Sequence, residues 1–352
     1  MQKTQEVIFI TSPLESEHVA RIRAEAPAGV SVEYLPEIMP KTRYAGDHKG
    51  VADFLRDAAA EVKWREQLGR ATILWDFPAG PVENGGGLAL APNVRWVQTT
   101  SSGVGQLVKA LGLAESEVIV TTARGVHATP LAEFAIMALL MHTKRLVYLL
   151  AEQKAHRWER YCGESLAGKT MLVIGAGLVG AEVARLAKAF GMSVTALVNR
   201  PSADRKSQLN ADFVIGKDAL MGAAATADCI ALCTPHTPET DQMISAEVIA
   251  AMKPGVIFIN ISRGQVVDER ALIEALASRR IGFAALDVAA IEPLPAGSPL
   301  WDMPNVLISP HSASTVAEEN AKLTDIFMAN LKHYLGGNPG LMINVLDKQK
   351  MY

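Results

Sequence analysis

The chain has 352 residues, of which 49% are hydrophobic and 20% are charged. This length is large for one core and suits two domains, and the composition is that of a globular protein rather than a disordered or fibrous one. The formal net charge at pH 7 is −3, and no basic run stands out. We therefore do not expect nucleic acid as a partner.

The amino-terminal sequence MQKTQEVIFI lacks the long apolar segment of a signal peptide. No stretch approaches the roughly 18 uninterrupted apolar residues of a membrane span. Three cysteines, Cys162, Cys229 and Cys233, are too few and too unevenly placed for a disulfide framework, which fits a reducing compartment. We expect a cytoplasmic protein without a membrane partner.

The first part of the chain alternates short apolar runs with polar, helix-forming stretches, which predicts a small α/β domain with a parallel sheet. The expected strands are residues 7–10, 31–34, 71–75, 94–98 and 118–120. Residues 40–50 carry charge and few apolar side chains, so we expect a loop there.

Residues 129–150 are mostly apolar and predict one long, largely buried helix that links two domains. A second α/β series follows, with expected strands at residues 170–174, 193–198, 212–215, 229–233, 256–260, 283–287 and 306–308. Six or seven strands separated by helical segments indicate a doubly wound sheet. The last expected helix, residues 316–334, could extend this domain or return to the first.

A glycine-rich loop lies between the first strand and the first helix of the second series. Gly175, Gly177 and Gly180 have the spacing G-x-G-x-x-G, with Leu178 and Val179 between them. Such glycines allow a tight turn, close approach of a pyrophosphate to the backbone, and close packing of helix on strand. Because an apolar strand precedes this loop and a helix follows it, we expect these residues to bind a dinucleotide.

The end of the next strand indicates which dinucleotide is preferred. NAD-binding sites usually carry an acid there for the ribose hydroxyls, but residues 197–202, LVNRPS, contain none. Asn199, Arg200 and Ser202 are the expected cofactor contacts, and an arginine at this place favours a 2′-phosphate. We therefore expect NADP as the preferred cofactor and NAD as the alternative, although Asp204 lies further along the same loop.

Three further segments each follow, or overlap, the end of an expected strand: INISRGQVVDERALIEAL, ALDVAAIEPLP and LISPHSAST. Together with the glycine loop they resemble the D-isomer-specific 2-hydroxyacid dehydrogenases, the family of glyoxylate/hydroxypyruvate reductases and phosphoglycerate dehydrogenases. The resemblance covers most of the chain and is densest from about residue 125 to residue 315. The motifs also stand in the family's order.

The resemblance implies that Arg263, Glu292 and His311 are the catalytic residues. Reduction of a 2-oxo acid needs a cation for the carboxylate and carbonyl, and an acid that protonates the oxygen. An arginine can bind a carboxylate through two parallel hydrogen bonds, and a histidine exchanges protons near neutral pH. Glu292 would orient the histidine ring and favour the imidazolium.

The resemblance also implies further contacts. The segment TTSSGVG resembles the family's substrate loop, which makes Ser102 and Gly103 the expected substrate-binding residues beside Arg263. Thr234 and Pro235 resemble the turn at the nicotinamide ribose, and Asp287 is expected near the cofactor. The family often has Asp where this chain has Gly105. Trp158 could cap the active site or pack between domains.

We therefore predict an α/β protein of two doubly wound parallel-sheet domains, with a Rossmann cofactor domain inserted into a flavodoxin-like substrate domain. The expected divisions are 1–122 for the first part of the substrate domain, 123–313 for the dinucleotide-binding domain and 314–352 for the segment that returns to the substrate domain. The cleft between the domains would hold the reaction.

The expected function is NAD(P)H-dependent reduction of a small 2-oxo acid, glyoxylate or hydroxypyruvate first, to the D-2-hydroxy acid. We expect no metal, a small-molecule partner and a homodimer. Two alternatives are a phosphoglycerate dehydrogenase-like enzyme and a nucleotide-sensing, corepressor-like binding protein, which would need no proton donor. A third, formate dehydrogenase, pairs its histidine with Gln, where this chain has Glu292.

Overall fold

The computed structural model describes residues 5–79 and 83–351, which belong to two compact units. Unit 1 contains the described residues up to Val126 and those from Thr315 onward, and unit 2 is His127–Ser314. The divisions therefore fall after residues 126 and 314, where the sequence suggests 122 and 313. Unit 2 is inserted into the chain of unit 1.

Unit 1 is built on five parallel strands in the order β2-β1-β3-β4-β5. The strands are β1 (Glu6–Ile10), β2 (Val30–Glu33), β3 (Ile73–Trp75), β4 (Trp96–Gln98) and β5 (Ile119–Thr121). The helices are α1 (Ser16–Glu25), α2 (Ala58–Arg70), α3 (Gly105–Ala110) and α11 (Glu319–Leu335). This strand order is that of flavodoxin-like sheets. All five expected strands are present, and residues 40–50 contain neither a helix nor a strand.

The carboxyl-terminal helix α11 returns to unit 1, which settles the alternative that the sequence leaves open. Its Phe327 is fully buried and stacks on Trp96, with ring centroids 5.1 Å apart. The same ring meets the edge of Trp75 at 5.4 Å. Large aromatic side chains that are buried together contribute strongly to a core, so α11 completes the hydrophobic core of unit 1.

Unit 2 is built on seven parallel strands in the order β12-β11-β10-β9-β6-β7-β8. The strands are β6 (Thr170–Ile174), β7 (Ser193–Leu197), β8 (Phe213–Ile215), β9 (Cys229–Leu232), β10 (Val256–Asn260), β11 (Ile281–Leu286) and β12 (Val306–Ile308). The helices are α4 (Ala128–Thr143), α5 (Leu146–Lys154), α6 (Leu178–Ala189), α7 (Ala203–Gln208), α8 (Leu220–Thr226), α9 (Ala246–Ala251) and α10 (Glu269–Ala277). Counted from β6, this is the Rossmann order 3-2-1-4-5-6 with a seventh strand at the edge.

The prediction of a single helix at residues 129–150 is wrong. The chain forms α4 and α5, which are bent by 60° at Lys144 and Arg145. Arg145 has φ 54° and ψ 45°, a left-handed conformation that a continuous α-helix of L-residues does not contain. Because neither Gly nor Pro marks the break, the apolar run gives no warning of it.

Helices α4 and α5 together form a long apolar segment. Over residues 5–79 and 83–351, no single helix is long and apolar enough to cross a membrane. The pair α4 and α5 reaches the required length and composition only as two helices bent relative to each other.

Candidate active site

The turn after β10 places Arg263, and Asn260 holds that turn. The Asn260 side chain is buried, and its Oδ1 accepts hydrogen bonds from the backbone N–H of Ser262, at 3.0 Å, and from the Ser262 hydroxyl, at 2.8 Å. Its Nδ2 donates to the carbonyl of Arg263 at 3.2 Å. The candidate site residues identified from the sequence do not include Asn260. The sequence does carry one signal for Asn260, since this polar residue ends the otherwise apolar strand VIFIN.

The guanidinium of Arg263 is partly buried and donates from Nη1 to the carbonyl of Ser262 at 2.6 Å. Burial lowers the pKa of Arg263, while the nearby charges of Glu292 and Asp287 act in the opposite direction. An arginine stays protonated in proteins despite such a shift. Arg263 is therefore a desolvated cation with hydrogen-bond donors left for an anion.

The loops after β10 and β11 are in close backbone contact at Gly264. A Cβ atom at this position would lie 1.9 Å from the carbonyl carbon of Ala289 and 2.0 Å from its oxygen. Gln265 donates from Nε2 to the carbonyl of Ala290 at 2.9 Å, and the Ala290 N–H donates to Glu269 at 2.8 Å. Only a glycine allows this approach, and it fixes the loop that carries Glu292 against the turn of Arg263.

His311 and Glu292 form a direct pair. The Nδ1 atom of His311 lies 2.7 Å from Oε2 of Glu292, and the other carboxylate oxygen accepts the Ala289 N–H at 3.2 Å. About two fifths of each side chain is exposed. An ionised carboxylate only accepts hydrogen bonds, so Nδ1 carries the proton in this contact and Nε2 is the atom left for a substrate.

Asp287 holds the loop that carries His311. Its side chain is buried, and Oδ1 accepts hydrogen bonds from the Ser309 hydroxyl, at 2.7 Å, and from the N–H groups of Ser312 and Ala313, both at 2.9 Å. The backbone N–H of His311 donates to the Asp287 carbonyl at 2.8 Å. The expectation that Asp287 lies near the cofactor stays a prediction; the observed contacts show that Asp287 also holds the backbone on both sides of His311.

The glycine loop has the shape that a phosphate group needs. At Gly175, where φ is 92°, a Cβ atom would lie 2.6 Å from the backbone of Thr234, and at Gly180 it would lie 2.2 Å from the Gly175 carbonyl. Gly177 has no atom within 4 Å of its Cβ position. It is the N-cap residue of α6, where no side chain caps the helix. Open space before uncapped N–H groups fits a dinucleotide pyrophosphate.

The loop after β7 carries Asn199 and Arg200, both exposed. Ser202 is the N-cap residue of α7, and its hydroxyl accepts the Arg205 N–H at 3.3 Å. The guanidinium of Arg205 donates to the carbonyl of Ala176, within the glycine loop, at 2.8 Å. Arg205 therefore joins the two segments that are expected to bind the cofactor.

Thr234 and Pro235 follow β9 at the same edge of the sheet. The backbone of Thr234 lies against Gly175, and the carbonyl of Pro235 accepts the Thr240 hydroxyl at 2.7 Å. These contacts hold the turn beside the glycine loop.

The expected substrate loop lies in unit 1. Ser102 and Gly103 follow β4 and are exposed. At Gly105 a Cβ atom would lie 2.1 Å from the carbonyl oxygen of Met351. The backbone of the carboxyl-terminal segment therefore lies directly against Gly105.

Among the residues that the structure describes, no group of three or more His, Cys, Asp and Glu side chains is arranged to hold a metal ion.

Known proteins resemble this chain in sequence and in fold. The family model described as the NAD binding domain of D-isomer specific 2-hydroxyacid dehydrogenases matches residues 136–313, just over half of the chain. Glyoxylate/hydroxypyruvate reductase B of Pectobacterium atrosepticum is 36% identical over 254 residues, which cover 70% of this chain and 78% of that protein.

Longer relatives match over a shorter share of their length. D-3-phosphoglycerate dehydrogenase of Mycobacterium leprae is 35% identical over 243 residues, which cover 68% of this chain and 45% of the mycobacterial protein. The chain thus spans about half the length of such relatives.

A crystal structure of a D-isomer specific 2-hydroxyacid dehydrogenase from Xanthobacter autotrophicus, in complex with NADPH and MES, superposes with a TM-score of 0.75 at 27% identity. The superposition covers 99% of this chain and 100% of that one. The chain belongs to the D-isomer specific 2-hydroxyacid dehydrogenase family.

Proposed function

We propose that this protein uses NAD(P)H to reduce a small 2-oxo acid to the D-2-hydroxy acid, with glyoxylate and hydroxypyruvate as the leading substrates. The observation that carries the proposal is the 2.7 Å contact between His311 and Glu292. Glu292 lies in the loop that contacts the turn of Arg263 at Gly264, and all three residues lie within the segment that matches the family's NAD-binding domain.

The three side chains have complementary tasks. The desolvated guanidinium of Arg263 binds the substrate carboxylate and polarises the 2-oxo group. His311 donates a proton from Nε2 to the carbonyl oxygen, because its Nδ1 is engaged by Glu292. Glu292 fixes the ring orientation. In unit 1, the N–H groups of Ser102 and Gly103 are the proposed donors to the substrate carboxylate.

The nicotinamide supplies the hydride that reduces C2. Gly175, Gly177 and Gly180, with Leu178 and Val179, are the residues proposed to hold the pyrophosphate. We propose that NADPH is preferred over NADH, because Asn199, Arg200 and Ser202 occupy the loop where an acid would otherwise bind the ribose. The X. autotrophicus relative, whose crystal structure contains NADPH, supports this preference.

The alternatives are less well supported. The chain covers 78% of the P. atrosepticum protein, which is named a glyoxylate/hydroxypyruvate reductase, but only 45% of the M. leprae phosphoglycerate dehydrogenase. A corepressor-like sensor needs no proton donor, whereas His311 is paired with a carboxylate. The same carboxylate, Glu292, stands where formate dehydrogenases have Gln.

The test is a panel of 2-oxo acids assayed with each reduced cofactor by the loss of absorbance at 340 nm. We expect turnover with glyoxylate and hydroxypyruvate, and higher kcat/KM with NADPH than with NADH. If no 2-oxo acid in the panel is reduced while the protein still binds NADPH, the sensor alternative replaces the proposed enzyme.

We further propose that the protein is a homodimer that associates through unit 2. A groove of about 580 Å³ on this unit is lined largely by apolar side chains, among them Met137 and Leu140 of α4 and Phe190, which directly follows α6. Trp158, beyond the end of α5, is 99% exposed. Exposed apolar patches of this kind mark association surfaces. A second copy of the chain would cover both features.

Light scattering after size exclusion tests the dimer. The native chain should have twice the mass of one chain, and Met137→Glu should shift it towards the monomer because a charge would be buried in the interface. A native monomer, or an unchanged dimer in the variant, would remove this surface from consideration.

The cytoplasmic location proposed from the sequence is supported by the three cysteines, which are all free thiols.

A further inference from the structure

We propose that Glu269 is a positioning residue for the pair of Glu292 and His311, and that it acts through the backbone of the loop that carries Glu292. The inference rests on the proposed function, in which His311 donates the proton and Glu292 fixes its ring. In this role Glu269 touches neither the substrate nor the cofactor. All three residues lie in unit 2, and so do the contacts that join them.

Glu269 is the first residue of helix α10, directly after the N-cap residue Asp268. The Asp268 side chain caps the helix by accepting the N–H of Ala271 at 3.0 Å. An acid in the first turn ordinarily stabilises a helix through the helix dipole, without any particular partner. Glu269 has a particular partner, because its Oε2 accepts the backbone N–H of Ala290 at 2.8 Å. Such a bond to an ionised carboxylate is stronger than one between neutral groups.

The backbone around Ala290 is held from several sides. The Ala290 carbonyl accepts Nε2 of Gln265 at 2.9 Å, and the N–H of Ala289 donates to Oε1 of Glu292 at 3.2 Å. Glu269 therefore holds one backbone N–H, and the preceding N–H holds Glu292. Because a peptide unit is planar and rigid, fixing the N–H of Ala290 leaves the N–H of Ala289 only the two dihedral angles of Ala289 in which to move.

The Glu292 carboxylate divides its two oxygens between the backbone and His311. Oε1 accepts the Ala289 N–H, and Oε2 lies 2.7 Å from Nδ1 of His311. The first contact limits the direction of the second, since both oxygens belong to one planar group. About two fifths of each side chain is exposed, so packing alone does not fix the pair. The orientation of His311 thus depends on a backbone segment that Glu269 holds in place.

Two substitutions separate the reach of the Glu269 side chain from its charge. Glu269→Asp keeps a carboxylate at the start of α10, where acids are favoured, but it is shorter by one methylene and withdraws the oxygen from Ala290. Glu269→Gln keeps the length and an amide oxygen that can accept the same N–H. The matched control is Glu274→Asp, the same change at an exposed acid of α10 that pairs with Arg270.

The experiment measures kcat and KM for hydroxypyruvate, the Kd for NADPH and the Tm of each variant. We expect Glu269→Asp to lower kcat about tenfold, since a misplacement of roughly 1 Å can cost up to about 100-fold. The KM, the Kd and the Tm should stay near their wild-type values, which a general loss of structure would not leave unchanged. Glu269→Gln should keep most of the wild-type kcat, and Glu274→Asp should keep all of it.

A second measurement tests the route by which Glu269 acts. Glu269→Asp is repeated in a Glu292→Ala background, where the carboxylate to be positioned is absent. If Glu269 acts through Glu292, the Asp change should then alter kcat by less than about twofold, because residues of one hydrogen-bond network are not additive. The same loss in both backgrounds would show that Glu269 acts independently of Glu292 and would overturn the inference.

Wild-type kcat in Glu269→Asp would also overturn it. So would a Glu269→Gln variant as impaired as Glu269→Asp, because the charge rather than the hydrogen bond would then be decisive. If Glu269→Asp does not fold, Glu269→Ala replaces it in both backgrounds, since Ala suits a helix and leaves the cap in place, and the same losses are expected. A wild type that reduces no 2-oxo acid would refute the proposed function and this role with it, a result distinct from unaltered kcat in the variant.

Discussion

The imidazole of His311 and the carboxylate of Glu292 are joined by a hydrogen bond of 2.7 Å between Nδ1 and Oε2. If His311 is the proton donor, His311→Ala should lower kcat on the order of 10² to 10⁴-fold and leave the Kd for NADPH nearly unchanged. Steady-state assays and a fluorescence titration of the cofactor measure the two quantities. A variant with near wild-type turnover would remove His311 from the mechanism.

Arg263 is expected to act through its planar guanidinium rather than through charge alone. Arg263→Lys keeps the positive charge but loses the paired hydrogen bonds to a carboxylate, so kcat/KM should fall on the order of 100-fold. The control Arg270→Lys changes an exposed arginine of α10 that pairs with Glu274, and it should be neutral. Full activity of Arg263→Lys would show that a point charge suffices.

Asp287 could act by positioning His311 or by contacting the cofactor, and its variants distinguish these two roles. Asp287→Ala leaves the Ser309 hydroxyl and the N–H groups of Ser312 and Ala313 without their acceptor, which should cost about 2 kcal/mol or more in stability. If Asp287 positions His311, kcat falls, the Kd for NADPH holds, and Asp287→Asn restores part of the activity. A selective loss of NADPH affinity, with kcat intact, would instead assign Asp287 to the cofactor.

Gly264 should tolerate no side chain. Gly264→Ala would force a Cβ atom to within 2.0 Å of the Ala289 backbone, so we expect a loss of about 2 kcal/mol or more and displacement of the loop that holds Glu292. Gly222→Ala is the matched control, since nothing lies within 4 Å of its Cβ position in helix α8. It should be neutral or slightly stabilising. Thermal unfolding of both variants measures this difference, and equal Tm values would contradict the packing argument.

Cofactor preference tests the loop after β7. Arg200→Ala should raise the KM for NADPH by roughly ten- to a hundredfold with little change for NADH, because one charge-assisted hydrogen bond to the 2′-phosphate is lost. Arg185, which pairs with Glu182 on α6, provides the control Arg185→Ala. Equal losses with both cofactors in Arg200→Ala, or equal wild-type efficiency with the two, would show that this loop does not read the phosphate.

The sequence predicts the strands well because buried parallel strands are continuous apolar runs. All twelve expected strands are present in the described structure. The break between α4 and α5 escapes prediction because it depends on a left-handed Arg145, which no Gly or Pro announces. A local pattern reports burial and periodicity better than it reports one unusual backbone angle.

The candidate site shows the same limit. Arg263, Glu292 and His311 are recognisable because each follows a strand in a segment that resembles the family. The hydrogen bonds of Asn260 and Asp287 cannot be recognised in the sequence, because they depend on which backbone groups the folded loops bring within hydrogen-bond distance.

In the proposed reaction a hydride passes from the nicotinamide to C2 of a 2-oxo acid. This transfer can be followed by incubating the wild type with hydroxypyruvate and NADPH deuterated at the transferable C4 position, and by analysing the product with NMR and chiral chromatography. We expect a D-2-hydroxy acid that carries one deuterium at C2. A product without deuterium at C2, a product of the L configuration, or no product at all would contradict it.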